Sequence, residues 1–404
     1  MSGNGGRTRR ELLADAARGA AAASLAGLAG CFPGVGGSWP ETAPKGLCTA
    51  PDAGATSDAG SFPAVTPAVV DVYRADSVVR SGKYVIHADV VATMLDAGLA
   101  ALARQVMMFN AGVSTSAGGA GADDSGQYDV VIDNPWKILL PDYSGQRIGL
   151  KVNTLNGFVP TSPAIVRAII ASLRDKMGVD TSKIVVWDRY LSELAGAGKY
   201  SADDLAGAQL LGTLTKGYDS KTETEDMVTP PGLGYGDAAC GAPPDDKGSL
   251  PRLSRILTDP SNTELTINCP VFKTHSDVSG ITAAFKNIYG MIDNPGHYHF
   301  PLSNTALPQL YALPAIRKSI RLTIVDALVA VINGQTSAQA NAGPGRILLA
   351  QDPVALDSYA LDLMNQLRAS SPGKMGPVDS TQTVWLDNAE LAGLGTKKYT
   401  LIQV

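Results

Sequence analysis

The sequence predicts an α/β fold: a largely parallel or mixed sheet flanked by helices, in alternating strand–helix order. Three observations predict it. Short runs rich in Val, Ile and Leu recur from residue 64 to the C-terminus. Segments with apolar residues at helical spacing fall between them. Proline opens a helix soon after a strand at Pro163 and again at Pro353. Strands each followed by a helix favour a parallel sheet.

In chain order, residues 69–73 read as a short strand and 88–108 as a helix by apolar spacing. Residues 111–127 are Gly, Ala, Ser and Asp and read as a surface loop. Residues 147–153 form a strand, and a helix follows with Thr161 or Ser162 as its cap and Pro163 at its first position. Residues 183–188 are a strand. Residues 217–251 are an acidic insertion rich in Pro and Gly. A strand at 264–269 ends at Pro270, and 280–289 reads as a helix. Residues 321–332 and 346–350 are strands. Pro353 opens a helix to about 368, and 399–404 is the last strand.

The chain has 404 residues, 45% hydrophobic and 18% charged, which excludes a wholly disordered protein. No run of about 18 uncharged apolar residues occurs, so a polytopic membrane protein is excluded. Net charge −5 argues against nucleic acid as a partner. Residues 1–31 read as an export signal: a basic start, then a short run from Gly19 to Gly30. Thr8-Arg9-Arg10-Glu11-Leu12-Leu13 looks like a twin-arginine signal, which implies the twin-arginine export machinery as a partner. Leu28-Ala29-Gly30-Cys31 looks like a lipobox with Cys31 as the lipidated residue. Residues 32–63 are a flexible tether. The expected location is the periplasm or cell envelope, lipid-anchored to a membrane. Residues 64–404 then make a single α/β domain. Cys48, Cys240 and Cys269 remain. No CxxC occurs, so no iron–sulfur cluster is expected.

Open α/β sheets bind ligands beyond the carboxyl ends of their strands. The expected strand ends here carry Lys151 and Asn153, Asp188, Lys273 and His275, Asp326, and Asp352. Together they make a polar cleft. Residues 276–279 lead into the expected helix, whose free N–H groups favour an anion. Thr282 and Lys286 would share a face of that helix, close to Asn287. Lys273, His275 and Lys286 are the candidate catalytic groups. Lys151, Asn153, Asp188, Thr282 and Asn287 are the candidate ligand contacts. His297 and His299, in a strand, would project to one side and suit a divalent metal completed by Asp326 or Asp352. Their other role is to hold substrate or cap a loop. The lysines act as point charges on a carboxylate or phosphate, or one of them, desolvated, acts as base or nucleophile.

These residues carry a resemblance. PVFKTHSDVSGITAAFKNIYGMI followed by HYH resembles the core of the domain of unknown function 362 family: Pro, Lys-x-His, Thr, Lys-Asn-x-x-Gly, then a later His. GLKVNTLNGFVPTSPAIVRAII, VVWD and GPGRILLAQDPVALDSYAL are similar to its flanking segments. Some members carry ferredoxin-like cysteine clusters, which the resemblance links to redox chemistry; this chain lacks them. Two functions stay open. One is an exported enzyme acting on an anionic small molecule, by proton transfer, by redox chemistry or with a metal. The other is an envelope lipoprotein that binds an anionic ligand without chemistry.

Overall fold

A computed structural model describes residues 66–110, 132–155, 158–196, 200, 205–219, 251–275, 279–293, 295–299, 302–335, 338–372 and 375–404. The export segment, Cys31, the tether and most of the two long loops lie outside the described residues. The described residues fall in one unit, Ala50–Val404.

Ten strands form one sheet: β1 Ala68–Tyr73, β4 Ile148–Val152, β5 Ile184–Asp188, β6 Gln209–Gly212, β7 Leu265–Cys269, β8 Val271–His275, β9 Gly280–Thr282, β10 Ile320–Val331, β11 Arg346–Ala350 and β12 Thr400–Gln403. A separate hairpin pairs β2 Val78–Ser81 with β3 Lys83–Ile86. The main order is β12-β1-β11-β10-β7-β4-β5-β6. Along it every pairing is parallel except the two made by β11. The sheet is therefore mixed and mostly parallel, as its alternating elements predict.

Both faces of the sheet are covered, which is why its strands are continuous apolar runs. Val70, Val72, Ile184 and Val186 pack on one side with helices α1 Ala88–Asn110 and α2 Pro163–Met177. Val69, Val185 and Trp187 face the other side. There they meet α4 Ser303–Ala312, α5 Pro353–Ser370 and α6 Val384–Leu391. Helix α1 is long and apolar enough by composition to cross a membrane. Here its buried stripe, Val91, Met94, Leu95, Leu99 and Leu102, belongs to the domain core. Gly98 lets it close on the sheet: a Cβ there would lie 2.7 Å from Leu349 and 2.8 Å from Val72.

The start of α2 follows the sequence: Ser162 caps it through the Ala164 N–H and Pro163 opens it. Three local expectations are corrected. First, the strand ends before Pro270 as expected, but Lys273 and His275 do not lie past the last strand there: Val271–His275 is a further strand, β8, which pairs with β10. Second, 280–289 is not one helix. Gly280–Thr282 returns as β9, antiparallel to β8, with Gly280 in the left-handed region at φ 71°. Only a single turn, α3 Ala284–Asn287, follows before a 3-10 turn at Ile288–Met291. Helical apolar spacing was present, but cross-strand hydrogen bonds captured its first residues. Third, His297 lies in a 3-10 turn, Pro295–Tyr298, with His299 just beyond it. The alternation that would set both rings on one side of a strand does not apply.

Candidate active site

The carboxyl ends of β4, β5, β7 and β8 meet over one buried polar frame. Lys151, at the end of β4, is fully buried. Its Nζ donates to Asp188 Oδ1 at 2.8 Å, to the Val152 carbonyl at 2.7 Å and to Asn287 Oδ1 at 3.3 Å. An ammonium has three donors, so none is left for a ligand. Asp188 is equally committed: Oδ1 also accepts the Arg189 N–H, and Oδ2 accepts the N–H and hydroxyl of Thr154. Asn287 closes the frame, donating to the Lys151 carbonyl at 3.0 Å and to Asn268 Oδ1 at 2.8 Å. Gly290 seals it. A Cβ there would sit 2.6 Å from both Lys151 Nζ and Asp188 Oδ1, so the position admits no side chain without displacing the ion pair.

Lys273 stands on this frame. It is 2% exposed, and among the described residues its one hydrogen bond runs from Nζ to Asn153 Oδ1, at 3.0 Å. Asn153 in turn donates to Asn287 Oδ1 at 3.2 Å. Burial pulls the Lys273 ammonium down to about 8, against the charges of Asp188 and Glu193, which raise it. Thr282 lies directly opposite Lys273 across the β8–β9 pair, so both side chains share a face. Its hydroxyl is buried and, among the described residues, has no hydrogen-bond partner. His275 follows two residues after Lys273 on the same face.

The second half of the cluster comes from the α3 segment and the turn after it. Lys286 is 7% exposed, with Nζ 3.9 Å from the centroid of the Tyr289 ring. The His299 ring is stacked on Tyr289, with centroids 6.0 Å apart, and meets His275 edge-on at the same separation. Burial is the main cause that holds His275 well below 6.5; Lys286, His299 and Lys273 add to it. Burial, helped by Lys286, takes His299 to about 4. Both imidazoles are therefore neutral at pH 7, beside lysine ammoniums. Such a place attracts an anion and offers uncharged nitrogens for proton transfer.

The structure thus gathers Lys273, His275, Thr282, Lys286 and His299 above Lys151, Asn153, Asp188 and Asn287. It corrects several roles. Lys151, Asp188 and Asn287 are internal supports, because their hydrogen-bonding capacity is spent within the frame. The helix start expected after residues 276–279 is not there, since Gly280–Thr282 is a strand; the N–H groups that open α3 are taken by a side chain, Asp357 on α5, which accepts the Ala284 N–H at 2.7 Å and the Phe285 N–H at 3.0 Å. Asp326 accepts the Ser162 and Leu328 N–H groups and fixes the start of α2. Asp352 caps α5 through the Val354 and Ala355 N–H groups. It cannot join the cluster: β11 runs against its neighbours, so its carboxyl end lies at the opposite edge of the sheet. The side chain of His297 lies outside the described residues. Among the described residues no three His, Cys, Asp or Glu side chains are grouped to hold a metal.

Sequence reasoning missed Asn268, Thr154, Asp357 and Tyr289. Asn268 had a signal, an amide inside the apolar run of β7. Asp357 lies in the quoted segment VALDSY, but its partners are 73 and 72 residues away and no local pattern announces them. Two cavities lie elsewhere. One of about 500 Å³ is lined by Asn333, Gln335, Arg368 and Met375. One of about 800 Å³ is lined by Leu102, Phe109, Tyr311, Arg317 and Asp352. Neither is lined by Lys273, His275, Lys286 or His299.

The sequence pattern of one family, described as Domain of unknown function (DUF362), matches residues 148–362. No curated protein and no solved structure matches the chain. The matched stretch runs from β4 into α5 and contains the frame, both lysines of the cluster, His275, His299 and the Asp357 brace. It spans more than half of the chain, which therefore belongs to the domain of unknown function 362 family.

Proposed function

We propose that this protein is an enzyme that acts on an anionic small molecule at the Lys273–His275–Lys286 cluster, with His275 moving a proton. One observation carries the reading: a buried lysine with a single hydrogen bond shares a strand face with a neutral histidine and an unpartnered hydroxyl. Asp188 lies nearby, but Lys151 already neutralises it. A ligand carboxylate or phosphate supplies Lys273 with an ion partner in direct contact, which no carboxylate among the described residues does. Lys286 adds charge from the other side. The twin-arginine-like and lipobox-like residues support export and anchoring at Cys31, which the intact mass of protein made by its native route would read.

The test has two parts. Inorganic phosphate and small carboxylates are titrated calorimetrically into the full chain. Lys286→Met should weaken binding at least about tenfold, worth ~1.4 kcal/mol. Affinity should fall as pH rises past about 8, because the Lys273 ammonium then loses its proton. Proton transfer is read as deuterium incorporation into the bound carboxylates, which His275→Ala should slow by about 10²–10⁴. No anion binding would sink the whole reading. Binding with no incorporation by the wild-type protein would leave the non-catalytic binding lipoprotein as the better account.

A further inference from the structure

Lys273 is the residue of the cluster whose surroundings ask for more than charge. An amine meant only to hold an anion works best as a well-hydrated ammonium with a free choice of geometry. This one is enclosed by the sheet and, among the described residues, pinned by a single neutral acceptor. A lysine becomes nucleophilic when it is desolvated or placed beside another positive charge. Lys273 meets the first condition: it is 2% exposed, and burial outweighs the charges of Asp188 and Glu193 that favour its proton. Asn153 Oδ1 accepts from either form of the amine, so deprotonation breaks no part of the frame.

We propose that Lys273 is a covalent nucleophile that forms a Schiff base with a small carboxylate bearing an adjacent carbonyl group. This deepens the function proposed above and rests on it. The placements match the needs of the step. Lys286 is the cation for the substrate carboxylate. Lys273 Nζ faces the neighbouring carbonyl carbon. Thr282, opposite Lys273 with its buried hydroxyl unpartnered, is placed to hydrogen-bond the oxygen of the tetrahedral adduct. His275, two residues along the same face, is the proton carrier.

The neutral amine adds its lone pair to the carbonyl carbon, forming a C–N bond while the C=O π pair moves to oxygen. His275 takes the proton released from nitrogen and returns it to that oxygen, giving a carbinolamine. The C–O bond then breaks as the nitrogen lone pair forms C=N; His275 takes the remaining N–H proton and delivers it to the departing hydroxyl, which leaves as water. One amine and one carbonyl give one imine and one water, and no oxidant or reductant is consumed.

The experiment uses the full chain, pyruvate as the probe and sodium borohydride, which reduces the imine to a stable secondary amine. The expected result is a single adduct of about 72 Da, pyruvate less one oxygen and carried on a lysine nitrogen, mapped to Lys273 by peptide mass. Lys273→Ala, shown to be folded by a cooperative urea transition, should carry none. His275→Ala should form it at least tenfold more slowly. Trapping should speed up between pH 7 and 9, over the range in which phosphate affinity falls. If pyruvate binds but no adduct forms, the nucleophile role is overturned and the anion-site reading stands. If pyruvate neither binds nor is trapped, the nucleophile role is overturned, and the anion-site reading falls with it when phosphate also fails to bind. Adducts spread over several lysines and unchanged in Lys273→Ala would also overturn the nucleophile role.

Discussion

Replacing Lys151 by alanine is expected to cost about 3–5 kcal/mol of folding stability, the usual penalty for stranding the partner of a buried ion pair. Asp188 would keep its bonds from Thr154 and Arg189, yet its charge would remain in the interior without its ion-pair partner. Asn287 Oδ1 would lose a donor, and the Val152 carbonyl another. The urea midpoint of the full chain reads this. Combining Lys151→Ala with Asp188→Asn should recover part of the loss, since the second change removes the stranded charge; a coupling of about 0.5–3 kcal/mol is the expected size. A single-variant cost under about 1 kcal/mol would mean that Lys151 does not hold the frame. It would then return to the list of ligand contacts.

Asp357 is expected to make stability depend on pH in a direction opposite to most carboxylates. Burial raises it from 3.8 to about 7, while the two backbone N–H groups of α3 pull it down by less. Between those values the native state holds a proton that the unfolded chain has lost. Stability from this residue is therefore complete below about pH 4 and disappears as pH rises through about 7. A rise of roughly three pH units corresponds to about 4 kcal/mol. Asp357→Asn stays neutral at every pH and keeps one acceptor for the α3 backbone. The variant should lose to the wild type in acid and gain on it steadily from pH 4 to 8, by about 2–4 kcal/mol in all. Asp326, also raised by burial, is unchanged in both proteins and cancels in the comparison. Parallel stability curves would show that Asp357 does not titrate in this window.

Much of the cluster was legible because its residues interrupt apolar runs. Lys151 and Asn153 end one strand, Asp188 another, and Lys273 and His275 a third. Polar groups where a strand leaves the sheet mark the edge at which parallel strands present a cleft. Asp352 passed the same test and failed in space. Strand direction is invisible in a five-residue run, and β11 runs the other way. His297 and His299 failed for a related reason: periodicity of two holds only in a strand, and the first lies in a 3-10 turn.

The sequence alone determined the α/β class, the start of α2, the start of α5 and its end to within two residues, several of the apolar strands, and the family. All follow from local patterns: apolar periodicity, caps, prolines and short motifs. Tertiary structure decided which polar residues meet a ligand and which hold one another. Lys151 and Lys273 look alike in sequence, each a lysine near the end of an apolar strand. They differ because Asp188 and Asn287 reach Lys151, spending its donors, while among the described residues only Asn153 hydrogen-bonds Lys273. Those partners are 37, 136 and 120 residues away. Hydrogen-bond satisfaction is a property of the packed interior, so it appears only when distant strands close on the same few cubic ångströms.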